Sequence, residues 1–219
     1  MAQNGWLSRR PAAFREALSS RCRIRRYGPQ EAVYREGDPS HSMMGLVEGR
    51  WFVRVPPADI AITIGQPGFW IGEAGIFRGV ERAASVISAT PSIGLHLPPT
   101  AFEELAANPE YCRHFAANTA ESLAQAIAVI GNLSQPRSDV RVARRLVSLA
   151  VFTNSHNDNV IPLSQADLAE LCNLSRSSLV TILQDLAGLG LISLQYRRII
   201  INDVTALTDY AWSSDRIWR

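Results

Sequence analysis

Hydrophobic and polar positions change their period along this chain, and each change marks a different kind of element. Through residues 22–27, 32–34, 43–47, 51–55, 60–64 and 85–87, apolar side chains alternate with polar ones or form short blocks. Gly28-Pro29, Gly37-Asp38-Pro39, Glu48-Gly49, Pro56-Pro57 and Pro67-Gly68 separate these stretches. Short strands at close intervals with turn residues between them predict an antiparallel barrel or roll, with a jelly roll as the expected form. Ahead of it, residues 11–18 predict a helix that packs on the roll, with Pro11 tolerated in its first turn.

Beyond Leu97-Pro98-Pro99 the period lengthens to that of helices: a short one over 100–105 and a long one from Pro109 to Leu133. Along the long one, Cys112, Ala116, Thr119, Leu123, Ala126, Ile130 and Leu133 recur with 4-3 spacing, a coiled-coil seam of about three heptads. That stripe either meets a partner helix, making a two-fold dimer with Ala116 and Ala126 allowing close approach, or packs on its own roll. Leu133-Ser-Gln-Pro-Arg-Ser-Asp139 then breaks the helical period, because the residue before Pro136 is pushed away from helix. Asp139 is expected to cap a helix over 140–150, with Arg141, Arg144 and Arg145 either on a solvated outer face or at a DNA backbone; the solvated face is the favoured reading. Residues 154–159 read as a polar loop or hairpin turn.

In residues 163–192, Leu168, Leu171 and Leu174 form one helical face and Leu179, Ile182, Leu183 and Leu186 a second, across a break at Cys172-Asn173-Leu174. Ser164 with Asp167 reads as a capping box, and Ser175 starts the second helix in the same way. After Gly188 and Gly190 come a strand over 191–195, a basic tip at Tyr196-Arg197-Arg198 and a strand over 199–202. Helix, tight turn, helix and basic hairpin predict a winged helix-turn-helix whose second helix offers a polar N-terminal face to a major groove; the plainer alternative is a helical hairpin that only packs. The tail from Thr205, with Trp212 and Trp218, allows a short helix. The fold class is therefore α+β, divided into a β jelly roll over 1–108, a dimerisation helix and hinge over 109–136, and a winged helix-turn-helix over 137–219.

Composition narrows the function. The 219 residues carry a net charge of only +2, so any nucleic-acid footprint must be local. All 22 basic residues are Arg, spread over the whole chain, which reads first as a compositional habit and only second as phosphate recognition. Cys22, Cys112 and Cys172 stand far apart with no Cys-x-x-Cys pair, so disulfide frameworks, zinc sites and iron–sulfur sites lack support. His41, His96, His114 and His156 are isolated, whereas a metal-dependent enzyme on a β-roll needs clustered His and carboxylate ligands; no catalytic or metal site is expected. No apolar run approaches the roughly 20 residues that span a bilayer. Residues 1–6 lack the order of a signal peptide, and the expected location is the cytoplasm.

The segment 66–86 carries candidate ligand chemistry. Gly72 lets the backbone approach a ligand, the turn after it exposes N–H groups, and Arg82 can reach the same spot with a charged fork, all suited to a phosphate. Glu73 can accept from sugar hydroxyls. Gly72, Glu73, Arg82, Ala83 and Ala84 resemble the phosphate-binding cassette of cyclic-nucleotide-binding domains, in which the Arg holds the cyclic phosphate and the Glu the ribose 2′-hydroxyl. Ala83 lacks the hydroxyl often found after the Arg. Ala126 and Ile127 stand where the type member presents base-reading Thr and Ser. The other reading is a structural ion pair between Glu73 and Arg82.

Residues 139–203, including Leu174-Ser-Arg-Ser-Ser-Leu179, resemble the DNA-binding domain of the cyclic-AMP receptor protein and fumarate-nitrate regulator (Crp/Fnr) family of bacterial transcription factors. The resemblance implies a homodimer on a two-fold operator of double-stranded DNA, with RNA polymerase as a further partner and cyclic AMP or cyclic GMP as the candidate effector. Arg176 is expected to contact a guanine edge beside Ser177, Ser178 and Thr181, with Ser164, Gln165, Arg197 and Arg198 on phosphates. The type member has a Glu and a second Arg where this chain has Ser177 and Thr181, so its operator does not carry over. An effector-independent regulator remains a variant of this reading. A cyclic-nucleotide-binding module without DNA function would need neither the Ser175-Arg176 helix nor the Arg-tipped wing.

Overall fold

A computed structural model describes residues 5–57, 59–153 and 159–212, the side chains of 151–153 excepted. His156, the loop over 154–158 and Trp218 lie outside the described residues. The chain forms two compact units, Met1–Ile127 and Ala128–Arg219.

The first unit is a roll of two four-stranded antiparallel sheets. One has the order β1 (Arg23–Tyr27), β8 (Ser92–Leu97), β3 (Met43–Glu48), β6 (Trp70–Ile71). The other runs β2 (Ala32–Tyr34), β7 (Ser85–Ser88), β4 (Trp51–Val55), β5 (Ile60–Gly65). Successive side chains of a strand point to opposite faces. Met43 accordingly enters a core with Trp6, Phe14, Trp70, Phe102 and Phe115, and Met44 enters the intersheet core with Tyr27, Trp51 and Val86. From Met43 to Leu46 both faces of β3 are buried, which is why that part of its sequence is an apolar block, while Val47 and Glu48 at its end are exposed.

Helix α1 (Ala12–Ser19) follows Pro11 and buries Phe14 and Leu18, as the pattern predicts. Trp6, just ahead of a 3-10 turn at Leu7–Arg9, stacks on Phe115 and donates its indole N–H to the His114 carbonyl at 3.0 Å. In this unit two strands and one α-helix escaped the sequence reading. These are β6, β8 and helix α2 (Glu73–Arg78), which stands where only a turn after Gly72 was expected. Helix α3 (Pro99–Ala106) precedes α4 (Pro109–Leu133), which has the predicted length.

In the second unit α5 spans Ser138–Thr153, beginning ahead of Asp139. Asp139 is thus a first-turn residue and does not stand before the helix as its cap. The three Arg residues of α5 also depart from the expected solvated face. Arg145 is buried, Arg141 Nη1 donates to the Gln135 carbonyl at 3.0 Å, and Arg144 Nε donates to the Ala211 carbonyl at 2.9 Å. Arg144 also lies over Trp212, on α8 (Val204–Trp212), with 5.3 Å to the ring centroid. Long guanidinium side chains reach backbone acceptors there, which sequence periodicity cannot reveal.

The remaining elements are α6 (Gln165–Leu171), α7 (Arg176–Gly188) and a sheet of order β10 (Ile192–Gln195), β11 (Arg198–Ile201), β9 (Val160–Ile161). Strand β9 was not predicted, and Arg198 belongs to a strand while the tip is Tyr196-Arg197. Among the described residues no helix is long and apolar enough to cross a membrane.

Candidate functional site

The two helix starts form as local chemistry demands. Ser164 Oγ accepts from the Asp167 N–H at 3.1 Å while the Asp167 carboxylate accepts from the Ser164 N–H at 3.3 Å, a complete capping box. Ser175 Oγ accepts from the Ser178 N–H at 3.1 Å and lies 3.0 and 2.8 Å from the hydroxyls of Ser177 and Ser178. Between the helices Asn173 has φ 50°, a left-handed conformation that Asn tolerates better than most residues. Leu168 and Leu171 of α6 and Leu179, Leu183 and Leu186 of α7 are buried.

That packing leaves Arg176, Ser177, Ser178 and Thr181 on the exposed side of α7. Among the described residues the Arg176 guanidinium makes no hydrogen bond or ion pair. Thr181 Oγ1 donates to the Ser177 carbonyl at 3.3 Å. Ser164 and Gln165 are half-buried at the start of α6, and Arg197 and Arg198 are exposed on the wing. A polar, positively charged N-terminal face beside a basic hairpin can address phosphates and base edges together.

In the roll, Gly72 has φ 112°, and a Cβ there would come within 2.7 Å of Arg82 Nη1 and 2.9 Å of the Ser42 carbonyl oxygen. Only Gly allows this approach. Arg82 Nη1 donates to the Gly72 carbonyl at 2.8 Å, Nη2 donates to the Ser42 carbonyl, and the guanidinium lies 4.3 Å from the Tyr34 ring centroid. Glu73 Oε1 accepts from Asn118 Nδ2 at 2.8 Å and from Thr119 Oγ1 at 3.1 Å. Both charged groups are buried, yet they form no ion pair with each other among the described residues, so the structural ion pair is replaced by separate anchors to backbone and to α4. Burial pushes the Glu73 carboxyl above its ordinary value of 4.5, against the pull of its hydrogen bonds and of Arg82. Burial also lowers the Arg82 value. Two polar atoms here are buried without a partner, Glu73 Oε2 and Arg82 Nε. Ala83 is exposed and contributes no side-chain donor.

Asn118, absent from the sequence reading, is therefore part of this site, and Thr119 faces the roll instead of the seam. Of the remaining seam residues, Ala116, Leu123 and Ile130 are exposed while Cys112, Ala126 and Leu133 are half-buried. The exposed stripe is Ala116, Ala120, Leu123, Ile127 and Ile130, still with 4-3 spacing but shifted at two positions. Leu123, Ile127 and Ile130 are 61%, 62% and 65% exposed, an unusual row for apolar side chains. The shift arises because the face opposite Phe115, Asn118 and Val129 is the one left open, and those three residues are buried.

Comparison with known proteins agrees with both halves. The cyclic nucleotide-binding domain family matches residues 24–108, and the Crp-like helix-turn-helix domain family matches residues 140–210. The cAMP-activated global transcriptional regulator CRP of Pasteurella multocida is 25% identical over 194 residues, covering 85% of this chain and 93% of that protein. Transcriptional regulator LdrP of Thermus thermophilus is 27% identical over 199 residues, covering 87% and 98%. The structure of FixK2 from Bradyrhizobium japonicum superposes with a TM-score of 0.76 at 17% identity, over 86% of this chain and 96% of that one, a likeness of fold. With a roll of the cyclic nucleotide-binding domain family, a Ser-capped second helix of the helix-turn-helix and relatives matched over nearly their full length, this chain belongs to the Crp/Fnr family of DNA-binding transcription regulators.

Proposed function

We propose that the chain acts in the cytoplasm as a homodimer, joined along the exposed stripe of α4, that places two copies of α7 in successive major grooves of a two-fold operator. The division of labour follows residues 1–108 as sensor, 109–136 as dimer helix and hinge, and 137–219 as DNA reader. The observation that carries this reading is the solvent-exposed, unpartnered Arg176 in the first turn of a Ser-capped helix. Its planar fork suits the O6 and N7 acceptors of guanine, with Ser177, Ser178 and Thr181 on neighbouring edges. Ser164, Gln165, Arg197 and Arg198 hold phosphates. The regulator performs no catalytic step of its own, and RNA polymerase is its partner on the promoter.

The effector belongs to the cyclic-nucleotide class and is held by its sugar–phosphate part. The unpartnered Glu73 Oε2 and Arg82 Nε, next to the backbone approach at Gly72, support a ligand with hydroxyl donors and an anionic group. Ala126 and Ile127 offer no base-reading hydroxyl, so discrimination between cyclic AMP and cyclic GMP should be weak. An effector shifts DNA binding only through a difference in affinity for the competent and incompetent arrangements.

Two measurements test the two halves. Replacing Arg176 by Ala should cost about 1–3 kcal/mol on an operator selected from random-sequence DNA and relax one base position; equal loss on every sequence removes the base-reading role. Calorimetric titration with cyclic AMP and cyclic GMP should show binding that Arg82→Ala abolishes. Flat titrations of intact dimer would leave a DNA binder that works without this effector.

A further inference from the structure

Strand β2 carries an irregularity at its end. Its pairing with β7 runs from Ala32 opposite Ile87 to Tyr34 opposite Val86, so two steps on β2 match one on β7, a β-bulge. Regular alternation would put Val33 and Tyr34 on opposite faces, yet both are buried in the one core between the sheets. The bulge therefore turns the Tyr34 side chain inward. Just past it, the chain leaving β2 is clipped to the backbone of Arg82. The Gly37 N–H donates to the Arg82 carbonyl and the Arg82 N–H donates to the Asp38 carbonyl, each at 2.9 Å. Tyr34 and Arg82 are thus held in place with ring against guanidinium, 4.3 Å from centroid to Cζ.

A bare ring would satisfy that contact, but Tyr34 adds a phenol. The residue is 9% exposed, and its hydroxyl has no hydrogen-bond partner among the described residues. Leaving a buried hydroxyl unpaired is unfavourable, and Phe would fill the same space without that cost. Arg82 Nε and Glu73 Oε2 are buried and unpaired as well, and the phenol lies close enough to feel the charges of both residues. Burial pushes the phenol pKa up, so the group stays a donor. We propose that Tyr34 is an effector-contacting residue, whose O–H donates to the same anionic group that Arg82 Nε addresses and so replaces the donor that Ala83 lacks. Arg82 Nη1 and Nη2 already hold the Gly72 and Ser42 carbonyls, which leaves the Nε edge and the phenol as the donor pair. The proposal rests on the cyclic-nucleotide reading above and adds a ligand contact from β2, outside the segment 66–86.

The test titrates full-length wild type, Tyr34→Phe and Arg82→Ala calorimetrically with cyclic AMP and with its two phosphorothioate diastereomers, in which sulfur replaces one or the other exocyclic phosphate oxygen. Tyr34→Phe should weaken cyclic AMP binding roughly ten- to hundredfold. It should also alter the preference between the diastereomers, because sulfur accepts the phenol's hydrogen bond poorly at one position only. Its unfolding midpoint without ligand should stay level or rise. Unchanged affinity in Tyr34→Phe, with Arg82→Ala abolishing binding, overturns the Tyr34 contact and leaves the reading of Gly72, Glu73 and Arg82 intact. Tighter binding by Tyr34→Phe makes the phenol an obstacle and overturns the contact as well. Weakening of all three ligands by one common factor assigns the phenol to the fold of the roll, which also overturns it. Flat titrations of wild type remove the effector reading and this proposal together.

Discussion

The phenol of Tyr210 donates to Asp139 Oδ2 at 2.6 Å, and Arg137 Nη2 donates to the same oxygen at 2.6 Å. One carboxylate thereby joins the last described helix, the first turn of α5 and the segment that follows α4. Burial opposes its ionisation, but the hydrogen bonds from Arg137 and Tyr210 outweigh that and hold its pKa below the ordinary 3.8. The Tyr210 phenol is pushed up to about 12, by burial first and then by the carboxylate it serves.

Tyr210→Phe removes one donor and leaves Arg137 in place, so the unfolding free energy should fall by about 0.5–1.5 kcal/mol. The Asp139 contribution has the sign of a depressed acid: present above pH 3.8 and lost as pH falls through the folded-state value. Asp139→Asn should flatten that acid-side loss. Urea unfolding of the single and double variants, treated as a mutant cycle, measures the coupling.

Glu73 has the opposite sign. Its folded-state pKa is raised, so its contribution is fully present below the ordinary 4.5 and is lost as pH rises through the folded value. Glu73→Gln keeps an acceptor for Asn118 and Thr119 but has no charge to bury. Stability of wild type should therefore decline relative to Glu73→Gln as pH is raised from 4.5 toward 8 in denaturant titrations. A gap independent of pH would show that burial does not govern this carboxyl.

The α4 stripe makes a prediction that separates the observed register from the sequence-derived one. Ile127→Asp puts a charge in the centre of the exposed row and should convert dimer to monomer, whereas Thr119→Ala should leave the dimer intact. Sedimentation equilibrium distinguishes them. Dissociation by Thr119→Ala, with Ile127→Asp still dimeric, would restore the original seam.

Ser175→Ala should destabilise by about 1 kcal/mol through loss of the α7 cap, and Ser175→Gly by only a few tenths. Equal losses would mean that the Ser175 hydroxyl does not serve as a cap. Thermal unfolding measures both.

Elements whose cause is local were legible in the chain itself. The bounds of α4, the caps at Ser164 and Ser175, the break between the helices at Cys172-Asn173-Leu174 and most strands follow from periodicity and from side chains that satisfy backbone groups within three residues. The candidate chemistry was legible too, because Gly72, Glu73, Arg82 and Arg176 belong to short motifs. What was missed has its cause far away in sequence. The pair β3–β8 joins residues about fifty apart, and β6 and β9 are two-residue strands that exist only because β3 and β11 pair with them. Arg145 reads as a surface residue until the surrounding elements bury it.

Thr119 and Ile127 show the division most sharply. Their helix and its heptad spacing are properties of the sequence by itself, since backbone hydrogen bonds within one segment and side-chain repeat are local. Which of two adjacent rows faces inward depends on Glu73, forty-six residues away, hydrogen-bonding Thr119. Likewise an Arg and a Glu nine residues apart in a motif do not say whether they pair with each other; only the folded roll, by burying both beside separate partners, decides that Arg82 anchors backbone carbonyls and Glu73 anchors α4. Local hydrogen bonding and periodicity determine the elements and the kind of chemistry they carry, and desolvation by distant parts of the chain decides which polar groups meet.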